Sequence, residues 1–386
     1  MSFSALSIPD RPAASPIIRV FLCGDVMTGR GVDQILPHPC DPCLHEGYIR
    51  SAKDYVRLAE QASGPIPAPA HASYIWGAAL DEWRRAPPDA RIVNLETSIT
   101  HSDAYVEKGI NYRMSPENAE RLLAARLDCC VLGNNHVLDW GRAGLLETLD
   151  VLERLGIKTA GAGRDLAQAS APAVIEIADK GRVLVFSFAS PTSGVPWEWA
   201  ATKQAAGVNL LPDFTDESVA RIAKLMASVR RPGDVVIASI HWGPNWGYEI
   251  PQEQRRFARA LIDRAHVSIV HGHSSHHAKA IEIYKDRLIL YGCGDFLNDY
   301  EGIRGYEEFR GDLAVMYLAS FEPSTERLAA LELIPLQIRR FQLVPASSAD
   351  VEWMRRILDR ESSALNVSVN LAHDGRLTLR RRDVVN

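Results

Sequence analysis

The chain has 386 residues, of which 46% are hydrophobic and 24% charged, and its formal net charge is −5. This composition is typical of a soluble globular protein with one large domain or two ordinary ones. The net negative charge argues against nucleic acid and anionic membranes as partners. No apolar run approaches the roughly 18 residues of a membrane span, and the polar, proline-containing start lacks a signal-peptide core. We therefore expect a cytoplasmic protein.

Short runs rich in valine, isoleucine and phenylalanine alternate with amphipathic stretches, and this alternation predicts an α/β fold. In chain order the pattern predicts strand 17–23, strand 91–95, helix 116–126, strand 129–132, helix 145–155, strand 183–188, helix 217–229, strand 235–240, helix 253–265 and strand 267–270. Hairpins are predicted where strand 174–177 meets 183–188 and where 280–283 meets 288–290. Antiparallel strands are expected over 313–321 and 328–344. The result is a mixed sheet system with helices outside.

The domain organisation follows from the same pattern. We expect a flexible N-terminus over residues 1–16 and one main domain over 17–346. Residues 347–386, with one helix at 350–360 and two weak strands, are expected to form a C-terminal appendage.

The six cysteines fit a reducing compartment. Cys23, Cys129 and Cys293 lie in apolar runs and are interpreted as small core residues. Cys40 and Cys43 have CxxC spacing, but no second cysteine pair or histidine pair accompanies them. We interpret them as a loop feature, and a labile disulfide between them remains open.

Six predicted strands are each followed by a sudden group of polar residues. These residues are Asp25; Asn94 and Glu96; Asn134, Asn135, His136 and Asp139; His241; His271, His273, His276 and His277; and Asp295. In open α/β sheets, ligands bind beyond the carboxyl ends of strands. Carboxylates gathered there would raise each other's pKa, and neighbouring imidazoles would lower each other's pKa. A bound divalent cation would resolve this conflict.

Each motif also has a structural interpretation. Asp25 could begin a turn, Glu96 could cap a helix, and Asn135 and His136 could bond loop backbone. Four histidines within seven residues after a buried strand are harder to explain in this way. Together the motifs favour a metal site.

The ordered set GDVM, NLE, NNHVLD, HWG, GHSSH and GCGDF resembles the CapA family, bacterial proteins linked to poly-γ-glutamate capsule synthesis. The resemblance spans about residues 19–346. That family is similar to the calcineurin-like metallophosphoesterases, which implies an α/β fold with a two-sheet β-sandwich flanked by helices. By the resemblance, the implied metal ligands are Asp25, Glu96, Asn135, His241 and His273. His136 is the implied acid/base residue.

The sequence departs from the phosphatase pattern. Met27 stands two residues after Asp25, where that pattern has a ligand histidine, and His273 and His276 are spaced three apart instead of two. One metal ion or two remain open. Because oxygen donors dominate, Ca²⁺, Mg²⁺ or Mn²⁺ is as plausible as Zn²⁺.

The remaining candidates concern proton transfer. We expect His136 to pair with Asp139 or Asp25, and a histidine of the 271–277 cluster to pair with Asp295, since a carboxylate behind an imidazole fixes its tautomer. The candidates in that cluster are His271 and His276.

Several residues beside the motifs are candidates for substrate binding. They are Trp140, Trp242, Trp246, Arg30 and Arg113. The tryptophans could equally wedge loops onto the core, whereas an aromatic-lined cleft would favour a substrate with an apolar surface.

Three functions fit the sequence. The first is a metal-dependent acid/base enzyme acting on a peptide substrate, specifically Cα epimerisation of a C-terminal, aromatic residue of a ribosomal peptide, because the CapA-like family includes a lasso-peptide epimerase. The second is hydrolysis of a phosphoester or γ-glutamyl amide. The third is a non-catalytic accessory role in polymer synthesis. The oligomeric state is not specified by the sequence, and a homo-oligomer remains open.

Overall fold

The computed structural model describes residues 16–382. Its strands are β1 Ile18–Val26, β2 Ala90–Leu95, β3 Ser98–Ile99, β4 Arg113–Met114, β5 Cys129–Val131, β6 Lys158–Ala160, β7 Ala162–Gly163, β8 Ala173–Ile177, β9 Gly181–Ala189, β10 Gly207–Val208, β11 Val235–His241, β12 Ile269–His273, β13 Ile281–Tyr284, β14 Arg287–Leu290, β15 Asp295–Leu297, β16 Leu313–Glu322, β17 Arg327–Arg339, β18 Gln342–Pro345, β19 Val367–Leu371 and β20 Leu377–Arg381. Its α-helices are α1 Gly31–Gln34, α2 Ala52–Ser63, α3 Gly77–Arg85, α4 Gly141–Arg154, α5 Leu166–Ser170, α6 Asp216–Ala227, α7 Gln252–Ala265 and α8 Ser348–Ser363.

Two large mixed sheets carry the fold. The first has the order β19-β20-β17-β16-β1-β2-β5-β6, with β15 also paired to β1 and β18 to β17. The second has the order β13-β14-β12-β11-β9-β8. The central strands are parallel in both sheets, and the hairpins β8–β9 and β13–β14 are antiparallel. The predicted mixed α/β fold with two sheets flanked by helices is confirmed.

The core forms on both faces of each sheet because the central strands are apolar along their whole length. On β1, Val20 and Leu22 pack between the two sheets, whereas Phe21 and Cys23 pack on the opposite face with residues of α2, α3 and α4. The second sheet alternates in the same way and places its outer face against α6 and α7. Helices therefore cover the outside, and the sheets stack on each other.

One predicted helix has a different form. Residues Pro116–Ala125 form a 3₁₀-helix, although an α-helix was expected over 116–126. Ala119, Leu122 and Ala125 are buried at a spacing of three residues, which matches the three residues per turn of a 3₁₀-helix. The period of the buried positions explains the tighter winding.

The C-terminal segment joins the first sheet. Strand β20 pairs antiparallel with β17, and Met354 and Leu358 of α8 pack into the apolar layer between the sheets. The division of the chain at residue 346 stays a prediction. The predicted flexible N-terminus lies, apart from Pro16, outside the described residues.

The cysteines are all free thiols, so the disulfide left open for Cys40 and Cys43 does not form. Cys43 lies in a β-bridge with Ser51, and the backbone N–H of Cys40 donates to Asp33. The pair is a loop feature. Within residues 16–382, no helix has the length and apolar character needed to cross a bilayer.

The parallel strands place the polar motifs side by side. Asp25 is in register with Asn94 on one side and Asp295 on the other, and His241 is in register with His273. Glycine is required at position 24, because a Cβ there would lie 1.6 Å from the carbonyl oxygen of Gly294. This close approach brings the ends of β1 and β15 together.

Candidate metal centre

Two groups of possible metal ligands share one carboxylate. The first is Asp25 with His241 and His273, and the second is Asp25 with His276 and Asp295. Within each group the ligand atoms all lie within 4.8 Å of one another, and every residue is buried. The register of the strands therefore creates a donor set centred on Asp25.

The histidines of the first group have the chemistry of metal ligands. His241 Nδ1 and His273 Nδ1 face each other at 2.8 Å. Burial lowers the pKa of both imidazoles well below the ordinary value, so both are neutral. Neutral imidazoles whose nitrogens converge are suited to share a divalent cation. The donor set fits a metal ion.

The carboxylates are crowded in a way that a cation would relieve. Burial, reinforced by the nearby Asp295 carboxylate, raises the pKa of Asp25 to about 7. Burial and the Asp25 charge raise the pKa of Glu96 well above its ordinary value. Asn94 Nδ2 donates to Asp25 Oδ1 at 2.8 Å and to Glu96 Oε2 at 3.2 Å, which holds the two side chains together.

The other two predicted ligands lie beside this group. Asn135 Oδ1 lies 3.1 Å from His241 Nε2, and Glu96 Oε1 lies 4.0 Å from the same nitrogen. All five residues expected from the resemblance are thus neighbours. We call Asp25, Glu96, Asn135, His241 and His273 the Asp25 cluster.

A first imidazole–carboxylate dyad adjoins this cluster. His136 Nδ1 lies 2.6 Å from Asp139 Oδ2, and His136 Nε2 lies 3.8 Å from Glu96 Oε1. Lys108 Nζ donates to Asp139 Oδ1 at 2.7 Å and lies 3.2 Å from His136 Nδ1. Burial, with a further contribution from the Lys108 charge, lowers the pKa of His136 to about 4 although Asp139 acts in the opposite direction.

A second dyad is formed by His276 and Asp295. His276 Nδ1 lies 2.9 Å from Asp295 Oδ1, and Asn298 Nδ2 donates to Asp295 Oδ2 at 2.7 Å. Burial alone would lower the pKa of His276, but the Asp295 carboxylate raises it above the ordinary value. Both dyads have the pairing expected from the sequence, and their surroundings push the two imidazole pKa values in opposite directions.

His271 is not available for proton transfer, contrary to expectation. Its Nε2 lies 2.7 Å from the carbonyl oxygen of Cys23, and its Nδ1 lies 3.0 Å from Ser239 Oγ. Both ring nitrogens are therefore engaged, and the side chain is fully buried. Ser239 Oγ also lies 2.9 Å from His273 Nε2, so Ser239 and His271 together orient the ring of a candidate metal ligand. Ser239 was missed because a serine inside an apolar strand carries no motif.

Two of the predicted substrate-binding tryptophans are core residues. Trp242 Nε1 donates to the carbonyl oxygen of Tyr291, and Trp140 Nε1 donates to that of Tyr112, each at 3.0 Å. Both indoles are buried, and the N–H group of each has a hydrogen-bond acceptor. They pack loops onto the core, which was the alternative interpretation of these tryptophans in the sequence.

The two predicted arginines are tied to the protein itself. Arg113 lies over the Trp140 ring at 3.9 Å and donates to Asp103. Arg30 is buried, with Nε and Nη2 on the two Asp299 oxygens at 2.8 and 2.5 Å, and Nη1 donates to Glu46. Their charges are already paired, so neither presents a free cation to a ligand.

A cavity of about 710 Å³, in the size range of small-molecule sites, adjoins His276 and Tyr300. The predicted residue Trp246 does line it, and its ring stacks on Tyr306 with centroids 4.2 Å apart. Tyr306 and Ile303 are exposed at the same opening. An aromatic wall therefore leads from the surface to the second dyad.

The chain matches the family model described as bacterial capsule synthesis protein PGA_cap over residues 19–300. It belongs to this family. The CapA membership indicated by the sequence motifs is thereby confirmed.

Curated relatives of the family cover most of the chain. Probable polyglutamine synthesis accessory proteins of two Mycobacterium tuberculosis strains are 45% identical over 355 residues, which are 92% of this chain and 93% of theirs. The capsule biosynthesis protein CapA of Bacillus anthracis is 23% identical over 344 residues, 89% of this chain and 73% of its own. The PGA biosynthesis protein CapA of Bacillus subtilis is 25% identical over 287 residues, 74% and 70% of the two chains.

A solved structure of a phosphatase from Mycoplasma pneumoniae is similar with a TM-score of 0.45 and 14% identity, covering 84% of this chain and 95% of that one. None of the relatives named here is described as an epimerase.

Proposed function

We propose that the chain is a metal-dependent acid/base enzyme that hydrolyses an amide bond in a glutamyl or related peptide chain. The observation that carries this proposal is the presence of two imidazole–carboxylate dyads beside one buried donor set, the Asp25 cluster. The names of the relatives, which refer to polyglutamine and PGA synthesis, support a glutamyl polymer as the substrate.

The Asp25 cluster would hold the cation. Imidazole nitrogens from His241 and His273 and oxygens from Asp25, Glu96 and Asn135 form a mixed donor set, which suits Mn²⁺ or Zn²⁺ and is less suited to Ca²⁺. A cation bound there would polarise the reacting carbonyl oxygen.

The two dyads would move the protons. Asp139 accepts from His136 Nδ1, which leaves Nε2 to take a proton, as the general base, from the water whose oxygen attacks the amide carbon. Asp295 stabilises the protonated form of His276, whose Nε2 is then the donor to the leaving amine. The opposite shifts in the pKa of the two imidazoles agree with this division, as in other enzymes in which paired groups have separated pKa values.

The cavity gives the substrate a place to bind. The cavity lining includes Arg30, Arg310 and Arg339. Arg30 is paired with Asp299 and Glu46, and Arg310 is paired with Asp312 and Asp350. We propose that it accepts the less polar part of the chain, with Trp246 and Tyr306 packing on it.

Cα epimerisation is the second candidate. One feature favours it: both imidazoles are backed by a carboxylate, and epimerisation needs one group to remove the Cα proton and another to return a proton. Hydrolysis and epimerisation would use the same dyads, so analysis of the product distinguishes the two reactions and the geometry of the site does not.

The test is incubation of the metal-loaded protein in D₂O with oligomers of γ-linked glutamate and of α-linked glutamine. Mass spectrometry reports cleavage, and chiral amino-acid analysis reports inversion. Cleavage that EDTA and His136→Ala abolish supports the proposal, whereas one deuterium at Cα without cleavage establishes the second candidate. His101→Ala, which changes an exposed histidine paired with Glu117 and Glu147, is the matched control. Neither product from any oligomer would contradict both and favour a non-catalytic accessory role.

A further inference from the structure

The hydroxyl of Tyr300 occupies a position that the acid/base scheme does not use. Its oxygen lies 3.1 Å from the hydroxyl of Tyr112 and 3.5 Å from His276 Nε2. Tyr300 lines the cavity and is partly exposed to it. The hydroxyl therefore lies where the second dyad meets the cavity.

Hydrogen bonds to the adjacent residue and to its own backbone fix the position of Tyr300. The preceding residue, Asp299, accepts from Arg30 Nε and Nη2 and from the backbone N–H of Gly31. The backbone N–H of Tyr300 donates to Asn298 Oδ1 at 3.1 Å. Arg30 itself has a φ of 51°, a costly conformation for a non-glycine residue that persists only where its contacts enforce it. A buried ion pair thus fixes the segment that carries the hydroxyl.

Tyr112 completes the arrangement. Its ring is buried, packs edge-to-face on His136 with centroids 4.6 Å apart, and lies 4.7 Å below the Arg30 guanidinium. In the described residues, the hydroxyl of Tyr112 is hydrogen-bonded to that of Tyr300. If Tyr112 donates to Tyr300, the hydroxyl hydrogen of Tyr300 has only the weak sulfur acceptor Met27 Sδ, 3.6 Å away, and a ligand oxygen in the reaction centre would replace it.

We propose that Tyr300 is a further catalytic residue that donates its hydroxyl hydrogen to the ligand oxygen on which negative charge develops. Tyr112 is a positioning residue that donates to Tyr300. This inference rests on the proposed function, since the oxygen concerned belongs to the attacked carbonyl. Donors fixed in advance towards a developing charge contribute more than donors that must reorient.

The first test uses inorganic phosphate as an oxyanion probe and does not depend on turnover. Isothermal titration calorimetry of the metal-loaded full chain compares wild type with Tyr300→Phe. A hydrogen bond to a charged group contributes enough to weaken phosphate binding by about tenfold or more when it is lost. Tyr48→Phe is the matched control, because Tyr48 lines the same cavity and its side chain is exposed. Its dissociation constant should stay within about twofold of wild type, well below that loss.

The second test uses the amide substrate. Tyr300→Phe should lower kcat with little change in KM, and Tyr112→Phe should lower kcat less, because the hydroxyl of Tyr300 remains. Phosphate affinity of Tyr300→Phe within twofold of wild type, or no phosphate binding by the wild type, would overturn the inference. Phosphate binding that depends on Tyr300 in a protein that cleaves no amide would instead overturn the proposed function and leave Tyr300 as an oxyanion donor.

Discussion

Replacing Asp295 by Asn should change the tautomer of His276, and the structure shows why. In the wild type, Asn298 Nδ2 donates to Asp295 Oδ2 while Asp295 Oδ1 faces His276 Nδ1. In Asp295→Asn, the amide oxygen will turn towards Asn298, so that the new NH₂ group faces His276 Nδ1 at about the present 2.9 Å. Nδ1 must then accept, the proton moves to Nε2, and the imidazolium form loses its support.

The magnitude follows from the role assigned to His276. Loss of one correctly protonated general acid costs about 10² to 10⁴ in kcat. Stability should change little, because the substitution preserves volume and leaves one hydrogen bond to Asn298.

Two assays address this prediction. Long-range ¹H–¹⁵N correlation of the EDTA-treated protein reports the tautomer of His276 without any substrate, and turnover of the amide substrate reports the rate. The double variant Asp295→Asn/Asn298→Leu is the control, because it removes the donor that orients the amide and should recover part of the Nδ1–H tautomer. An unchanged tautomer in Asp295→Asn, or kcat within threefold of wild type, would refute the reasoning.

Other predictions concern packing and burial. Trp242→Ala should destabilise the fold by about 3–5 kcal/mol, because Trp242 is buried. Trp246→Ala should leave thermal unfolding nearly unchanged and raise KM, because Trp246 lines the cavity and Trp242 does not. Equal loss of stability in the two variants would contradict this. Gly24→Ala should abolish soluble expression or metal binding, since its Cβ would clash with the Gly294 carbonyl, and a wild-type melting curve would show the close approach to be wrong. Burial lowers the pKa of Lys279 to about 8, below its unfolded value, so the unfolded state binds more protons between pH 8 and 10.5. Wild-type stability should therefore gain up to about 3 kcal/mol relative to Lys279→Met as the pH rises through that window, measured by urea unfolding at pH 8 and 10.5, and a constant difference would contradict it.

The positions at which the central strands end could be predicted well from the sequence. The central strands are apolar along their whole length, and each stops at a polar motif, so the positions of Asp25, His241 and His273 at one edge were predictable. The pairing of His136 with Asp139 was one of the two predicted for it, the other being with Asp25.

The burial and the contacts of individual side chains could not be predicted from the sequence. His271 and His273 point to the same face of β12 because they are two residues apart, yet only the approach of β1 places the Cys23 carbonyl on His271. Trp242 and Trp246 differ for a similar reason, since long-range packing alone decides which indole is enclosed.

The segment between β1 and β2 was also not predicted. Helix α2 buries Ala52, Tyr55 and Ala59, and alanines give a weak apolar signal in a polar stretch. This segment supplies Tyr55, which stacks on Arg30 at 3.7 Å. Part of the support of Tyr300 therefore lies in a region where local pattern is uninformative.

The central claim is that a divalent cation binds at the Asp25 cluster. Calorimetric titration of the EDTA-treated full chain with Mn²⁺ tests it most directly, with wild type compared to His241→Ala and to the surface control His101→Ala. We predict saturable binding by wild type and His101→Ala, and an affinity lowered by about 10-fold or more in His241→Ala, as expected for loss of a ligand when even supporting groups cost 10- to 100-fold. Equal affinity in all three proteins, or no binding by wild type, would contradict the account.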